Sequence, residues 1–331
     1  MITSFAASLI SVAYPEIKLG YENLLRTFRA DSSMRDSIGR VGPAAILVSD
    51  EPAIVALQKT NREFVTDAEI RAERLLRDAI GQRYPGHTLT GEELPVQARG
   101  DEWVWSIDPV DGTSAMIRSA IMQAYGLPIP EPAPAFGISI GVLHGNEAVC
   151  GVIAELLPRH DSLELGRVWV GSVDTPALCD GRAVQARAAT SLNEAVLACT
   201  VPEIMFSTPE RWSGFQALAD ATRSVVTDQN CIGFMGLLDG TVDIVCERDL
   251  LLPDAAAVVP ILRSAGITVT DHDGYLVEFD ATARKGEYCL LAARPELHRD
   301  AVVMHRRGVP RWNNRFPGVD STGLGYVRKV D

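Results

Sequence analysis

Three features predict a mixed α/β (α+β) fold. Helical and strand-like apolar runs alternate along the chain, and turn-forming residues separate them. Hydrophobic residues make up 47% of the 331 positions, enough to bury a sizeable core. Such a length exceeds one average domain and falls short of three. Against 43 Asp+Glu stand 31 Lys+Arg, a net charge of −12. That sign excludes nucleic acid or an anionic membrane surface as the bulk partner. An anionic substrate stays possible, because bound metal ions reverse local charge.

Taken in order, residues 67–82 place Ile70, Leu75, Leu76 and Ala79 on one face of an amphipathic helix, which the turn Tyr84-Pro85-Gly86-His87 ends. Strands are predicted at 102–108, 135–143 and 148–156; His144-Gly145-Asn146-Glu147 joins the last two as a hairpin, and 167–172 adds to it. Next come a strand at 195–200, helices near 209–222 and 231–238, and a strand at 241–247. A helix at 254–265 is capped by Gly266, followed by strands at 267–270 and 288–293 and a helix from Pro295 to about His305. Residues 126–134 carry four prolines in nine positions and are irregular. Residues 306–331 hold six basic and two acidic residues and are read as a tail. The resulting division is an N-terminal half at 1–172, a C-terminal half at 173–305 and a tail at 306–331. Val-Thr-Asp occurs at 65, 226 and 269, too unevenly spaced for a structural repeat.

At the N-terminus a short apolar stretch has no preceding Lys or Arg, which argues against a signal peptide. No window reaches the roughly 18 to 20 apolar residues of a membrane helix. The six cysteines form no CxxC pair, and most sit in apolar runs as buried free thiols, as expected of a cytoplasmic protein.

Chemistry concentrates in Trp105-Ser106-Ile107-Asp108-Pro109-Val110-Asp111-Gly112-Thr113-Ser114-Ala115. An apolar strand delivers Asp108, proline turns the chain, and Asp111 follows three residues on. Two carboxylates facing one point suit Mg²⁺, a hard cation. The amides of Gly112, Thr113 and Ser114 open a short helix, where N–H groups and the helix dipole attract phosphate. By itself this stretch would also serve as an ordinary surface turn. Glu92 and Glu93, after Gly91, offer a third carboxylate, although a Glu-Glu pair alone is most simply a solvated one. Asp254 precedes three alanines, where its simplest role is helix capping.

In order and context these pieces resemble the inositol monophosphatase-like family of Mg²⁺-dependent phosphatases. The matches are Gly91-Glu92-Glu93, Asp108-Pro109-Val110-Asp111-Gly112-Thr113, and Asp254-Ala-Ala-Ala with Ser264-Ala265-Gly266; an upstream Lys59…Val65-Thr66 segment also fits, and coverage runs from about residue 50 to 305. The C-terminal half resembles the histidinol-phosphatase branch, through Leu237 to Glu247, the run after Asp254, and Val269 to Gly274. The resemblance implies a layered α/β/α/β/α sandwich of the inositol monophosphatase / fructose-1,6-bisphosphatase type, a homodimer, and two or three Mg²⁺ ions. It places Glu92, Asp108 and the Val110 carbonyl on one metal, and Asp108, Asp111 and Asp254 on a second. Glu69, Glu92 and Thr113 become the catalytic candidates, with Thr113 orienting the attacking water. Substrate contacts fall to Asp111, Gly112, Thr113, Ser114, Asn230 and Glu247.

Departures from the family pattern gather on the water and leaving-group sides. Glu69 stands where Asp is usual, and its extra methylene shifts a carboxylate by about 1 Å. Ser114-Ala115-Met116, Gln229-Asn230-Cys231 and Pro253 replace other familiar residues, and 22 residues separate Thr113 from Phe136, roughly ten more than usual. A stiff arm at 119–133 that shapes the leaving-group pocket is expected from that insertion. The reading is Mg²⁺-dependent hydrolysis of a small phosphate monoester: histidinol phosphate, inositol phosphate or a related polyol or sugar phosphate. The alternatives are a 3′-phosphonucleotide phosphatase and a catalytically weak relative that binds a phosphorylated ligand. Nucleotide-binding loops, the serine-hydrolase elbow and HExxH are absent from the sequence.

Overall fold

The computed structural model describes residues 2–30, 56–58, 64–100, 102–186, 191–280 and 288–308. Lys59 and residues 309–331 of the expected tail lie outside them.

The chain opens with helices α1 (Ile2–Ser8) and α2 (Ile10–Ala30). A two-stranded ribbon, β1 (Ala56–Gln58) and β2 (Phe64–Thr66), leads into α3 (Asp67–Arg83). Then come β3 (Thr88–Gly91), β4 (Trp103–Asp111) and α4 (Thr113–Tyr125). An antiparallel run follows: β5 (Gly137–His144), β6 (Glu147–Arg159), β7 (Ser162–Ser172), β8 (Thr175–Cys179) and β9 (Arg182–Ala183). The later part holds β10 (Val196–Ala198), α5 (Pro202–Met205), α6 (Pro209–Ala221), β11 (Ser224–Val226), α7 (Asn230–Asp239) and β12 (Ile244–Leu250). It closes with α8 (Leu252–Ala256), α9 (Val258–Ser264), β13 (Thr268–Thr270), β14 (Tyr288–Ala293) and α10 (Pro295–Gly308).

Five layers result. Helices α1 to α4 cover one face of a seven-stranded sheet ordered β3 to β9, with a core between them that includes Tyr21, Phe28, Trp105, Ile117 and Phe136. Its other face packs on α7, α8 and α9, and these helices also meet a five-stranded sheet ordered β11-β10-β12-β14-β13. Against the far face of that second sheet lie α6 and α10, around Phe206, Phe215 and Leu297. The layered sandwich is thus present. β8 and β9 carry the first sheet to Ala183, beyond residue 172, where the sequence reading divides the halves. The middle helices lie very close to the sheet: a Cβ on Gly151 would come within 1.9 Å of the Ala257 carbonyl. That approach holds α8, and with it Asp254, over β4 and β5.

Several elements differ from the sequence reading. The N-terminal stretch, to which the sequence reading assigns no element, forms two helices; the second, α2, runs for 21 residues and buries Ile10, Ala13, Ile17, Tyr21, Leu24, Leu25 and Phe28. Pro15 sits in its second turn, where a proline breaks the apparent helical pattern without ending the helix. The helix expected at 254–265 starts at Leu252 and divides at Ala257. The strand expected at 241–247 starts at Ile244, because the amides of Thr241 and Val242 close the end of α7 on the Gly236 carbonyl. Residues 306–308, expected in the tail, belong to α10. Within the arm expected at 119–133, residues up to Tyr125 are the buried half of α4, with Ala120 and Ile121 fully enclosed; only 126–133 is irregular. All six cysteines are free, four of them buried. No helix among the described residues is long and apolar enough to cross a membrane.

Candidate active site

β4 ends in a bulge: Asp108 pairs with Ser139 and Asp111 with Gly137, so an extra residue intervenes on β4. A separation of three puts side chains on opposite faces of a regular strand, and the extra residue allows both carboxylates to serve one place. Pro109, which donates no hydrogen bond, occupies this interruption. Asp108 Oδ1 accepts from the Val110 amide at 2.9 Å, while Oδ2 is buried with no hydrogen-bond partner.

Oxygens of Glu92, Asp108 and Asp254 lie within 4.8 Å of one another. Burial, followed by the charges of Glu92, Asp111 and Asp254, holds the Asp108 carboxyl well above the usual carboxylate range. Asp111 is pushed up to about 6, chiefly by burial and despite its hydrogen bond from the Cys231 amide at 2.6 Å. Crowded carboxylates with an orphaned buried oxygen fit a cation: an ion there supplies the missing partner and offsets the mutual repulsion. Asp254 also does what its sequence position suggests, accepting from the Leu251 amide at 2.8 Å at the start of α8.

Glu92 reaches this cluster from the end of β3. The adjacent loop is held by Glu73 of α3, whose buried Oε2 accepts from the Glu93 amide at 2.8 Å. Arg77 binds Glu73 and donates to the carbonyls of Leu94 and Pro95, both at 2.9 Å. Sequence reasoning missed this brace, although Glu73 and Arg77 share an i,i+4 helical spacing.

The Glu69 carboxylate joins two helix starts. Its Oε2 accepts from the Thr66 amide at 2.6 Å and Thr66 Oγ1 accepts from the Glu69 amide, a capping box at the head of α3. Its Oε1 accepts from the Thr113 hydroxyl at the head of α4, and that hydroxyl is 3.2 Å from the Val110 carbonyl. The longer side chain therefore spans from α3 to Thr113. Burial pushes Glu69 up to about 7, against its hydrogen bonds from Thr113 and Thr66. Gly112, at φ 104°, caps α4 in a left-handed conformation that favours glycine, and a Cβ there would strike the Asn230 amide nitrogen at 2.5 Å. Ser114 follows, half-buried.

Opposite the carboxylates a pocket is lined by Asp111, Thr200, Asn230, Glu247, Asp249 and Asp254, among others. Glu247 Oε1 accepts from the Thr200 amide and hydroxyl, both at 2.8 Å, whereas Oε2 is buried without a partner. Asn230, at φ 48°, donates through Nδ2 to the Ala135 carbonyl at 2.7 Å, so that amide nitrogen is committed to the fold. Thr200 and Asp249, absent from the sequence reading, carry no motif that would have marked them.

Burial raises the Glu247 carboxyl from 4.5 to about 8. The native state then keeps a proton that the unfolded chain releases. That stability is complete below pH 4.5 and is lost as pH rises through about 8. Glu247→Gln is expected to remove the loss. In chelator-treated protein its melting temperature should exceed wild type at pH 8, by the equivalent of a few kcal/mol at most, and converge with it below pH 4.5. Parallel melting curves at all pH values would refute this.

A family model described as the inositol monophosphatase family matches residues 9–306. The chain belongs to that family. Its members are phosphomonoester hydrolases. The match includes the α2 helix that the motifs left out. A bifunctional phosphatase of Arabidopsis thaliana, IMPL2, chloroplastic, is 26% identical over 251 residues, 74% of this chain and 66% of that protein. The aligned stretch thus spans just under two thirds of that relative. A histidinol-phosphatase of Chlorobaculum parvum is 27% identical over 210 residues, covering 63% of this chain and 73% of its own. The solved inositol monophosphatase from Anabaena superposes with a TM-score of 0.59 over 92% of this chain and 96% of its own, at 22% identity. That likeness supports the shared fold.

Proposed function

We propose that this protein hydrolyses a small phosphate monoester of a polar alcohol, with Mg²⁺ held by Glu92, Asp108, the Val110 carbonyl, Asp111 and Asp254. The buried, unpartnered Asp108 Oδ2 within the acidic cluster carries this reading. Bound Mg²⁺ would supply Lewis acidity and lower the pKa of water. Asp111 lines the pocket, outside the three carboxylates whose oxygens lie within 4.8 Å, and the amides of Gly112, Thr113 and Ser114 would receive phosphate oxygens at the head of α4. Thr113 Oγ1, its proton committed to Glu69 Oε1, presents lone pairs to a water. As that water attacks phosphorus and the ester P–O bond breaks, Thr113 takes the water proton while Glu69 takes the Thr113 proton, and the departing alkoxide takes a proton from solvent.

Glu247 and Asp249 line the leaving-group side: Glu247 keeps its proton up to about pH 8 and can donate it, and Asp249 is paired with Arg211 and Arg248. Hydrogen-bonding groups of this kind suit the hydroxyls of a polyol or amino alcohol, such as inositol or histidinol phosphate. The similarity to a histidinol-phosphatase agrees with the amino alcohol. A panel of histidinol, inositol, sugar and nucleotide phosphates with Mg²⁺ tests the reading. Turnover of an amino-alcohol or polyol ester is expected; turnover of a 3′-phosphonucleotide alone would select that alternative, and none at all would leave a ligand-binding relative. A cytoplasmic location, consistent with six free thiols, and a homodimer belong to the same proposal. A sedimentation mass of one chain would contradict the dimer.

The irregular segment 126–133 is tied at its C-terminal end, Ala133, to the stretch just before the pocket residue Asn230. Ala135 donates to the Asp228 carbonyl at 3.0 Å, Gln229 Nε2 donates to the Ala133 carbonyl at 3.1 Å, and Arg118 pairs with Asp228. These contacts reach the segment that carries Asn230. Replacing 128–132 by a short turn should lower kcat/KM for the preferred ester at least about tenfold, a loss of about 1.4 kcal/mol, while sparing an aryl phosphate. Unchanged kinetics for both would remove the segment from specificity. Deleting all of 119–133 would not test this, because it destroys the buried half of α4.

A further inference from the structure

On the far side of β12 from the pocket lies a second cluster of metal-ligating side chains. Cys246 of β12, His272 in the loop after β13 and His305 of α10 are all buried, and the sulfur and one nitrogen from each ring lie within 4.8 Å of one another. They are 26 and 33 residues apart along the chain, so no local motif announces them.

Polar contacts in this cluster are incomplete. His272 Nε2 sits 2.9 Å from the Glu247 carbonyl and 3.6 Å from Cys246 Sγ. Because a carbonyl only accepts, Nε2 bears the proton; the Leu290 backbone also lies near the ring, but Nδ1 is buried and makes no well-formed hydrogen bond. His305 Nε2 is likewise buried and unpartnered. Phe206 packs on both rings, at 5.6 Å from His272 and 6.2 Å from His305, and helps enclose them. A core histidine kept only for packing would normally satisfy both ring nitrogens. Two that do not, clustered with a cysteine, present a donor set of the kind Zn²⁺ prefers.

We propose that Cys246, His272 and His305 form a second metal site, distinct from the carboxylate cluster, that takes a borderline-soft divalent cation such as Zn²⁺. Ligation by His272 would fall to Nδ1, with Nε2–H kept on the Glu247 carbonyl to hold the ring. Both rings are neutral near pH 7, as ligation requires: burial drives His272 down to about 3 and His305 to about 4. Burial raises the Cys246 thiol, so loading must expel its proton, and affinity rises with pH. Arg248 stands close enough to disfavour a cation, and the Cys246 thiolate offsets it. Glu247, which lines the pocket, is the next residue after Cys246, so an ion here would tie β12 and α10 together behind the leaving-group side.

Cobalt separates this site from the carboxylate cluster, because only a thiolate ligand gives sulfur-to-cobalt charge-transfer absorption. Full-length protein saturated with Mg²⁺ and titrated with Co²⁺ should develop that band to one equivalent per chain. Cys246→Ser and His305→Phe should lose it, and Cys150→Ser, in another layer, should keep it. No band in the wild type, or a band that survives Cys246→Ser, would overturn the site. If Cys246→Ser does not fold, X-ray absorption of zinc-loaded wild type decides. A sulfur neighbour is expected, and a shell of oxygen and nitrogen alone would be fatal. Neither readout depends on turnover, so the site stands or falls apart from the proposed activity.

Discussion

Asp108→Asn abolishes turnover and, in the same protein, raises the melting temperature measured in chelator: this is the expected pair of results. Asp108 is buried, bears an unpartnered oxygen and is crowded by Glu92, Asp111 and Asp254. Without a cation its charge costs stability, and an isosteric amide removes that cost. The same change withdraws a metal ligand, with a loss of several kcal/mol of transition-state stabilisation, at least about 10³-fold in rate. Added Mg²⁺ should raise the melting temperature of wild type by mass action and that of the variant by much less. Near-normal turnover in Asp108→Asn would dispose of the proposed activity. A metal-free variant that melts below wild type would show instead that Asp108 is needed for the fold.

For Glu69→Gln the expected loss is in kcat, by about 10² to 10⁴, with KM little changed. The amide keeps the bulk and one accepting oxygen but cannot take the Thr113 proton. Glu69→Asp, though closer to the family pattern, should also be impaired. The shorter side chain cannot both close the capping box on Thr66 and reach Thr113. Because burial sets Glu69 near 7, wild-type kcat should rise with pH to a limb at or below that value, and Glu69→Gln should erase the limb. Equal rates for Glu69→Gln and wild type would place the proton acceptor elsewhere.

Much of this site was legible in the sequence because two short segments carry it. Asp108 through Ser114 are contiguous, and the strand-turn-helix pattern around them survives in the structure almost unchanged. The capping role of Asp254 was legible, since a carboxylate before a run of alanines marks a helix start. The capping box Thr66-x-x-Glu69 was also written in the sequence. It went unread because Glu69 was weighed only as a displaced aspartate. Thr200, Glu73 and the Cys246–His272–His305 cluster depend on which strands become neighbours. Such pairings reflect tertiary packing, to which local periodicity is blind. Helix α2 was hidden for a simpler reason. Its apolar spacing is regular, but a proline in the second turn resembles a stop.

Three helix starts converge on the carboxylates: α3 through Glu69, α4 through Gly112 to Ser114, and α7 through the Cys231 amide on Asp111. Each contributes about half a positive charge at short range, within a protein whose net charge is −12. A phosphate ester therefore meets repulsion from afar and attraction only at contact. Salt at about 0.1 M screens beyond roughly 10 Å, so it should weaken the first effect more than the second. For such a protein the encounter rate, and hence kcat/KM under diffusion-limited conditions, should increase as ionic strength rises, opposite to the behaviour of an electrostatically steered enzyme. The amides at the helix starts hold their places before substrate arrives, so the local field needs no counter-ion cloud to form and is already aligned at capture.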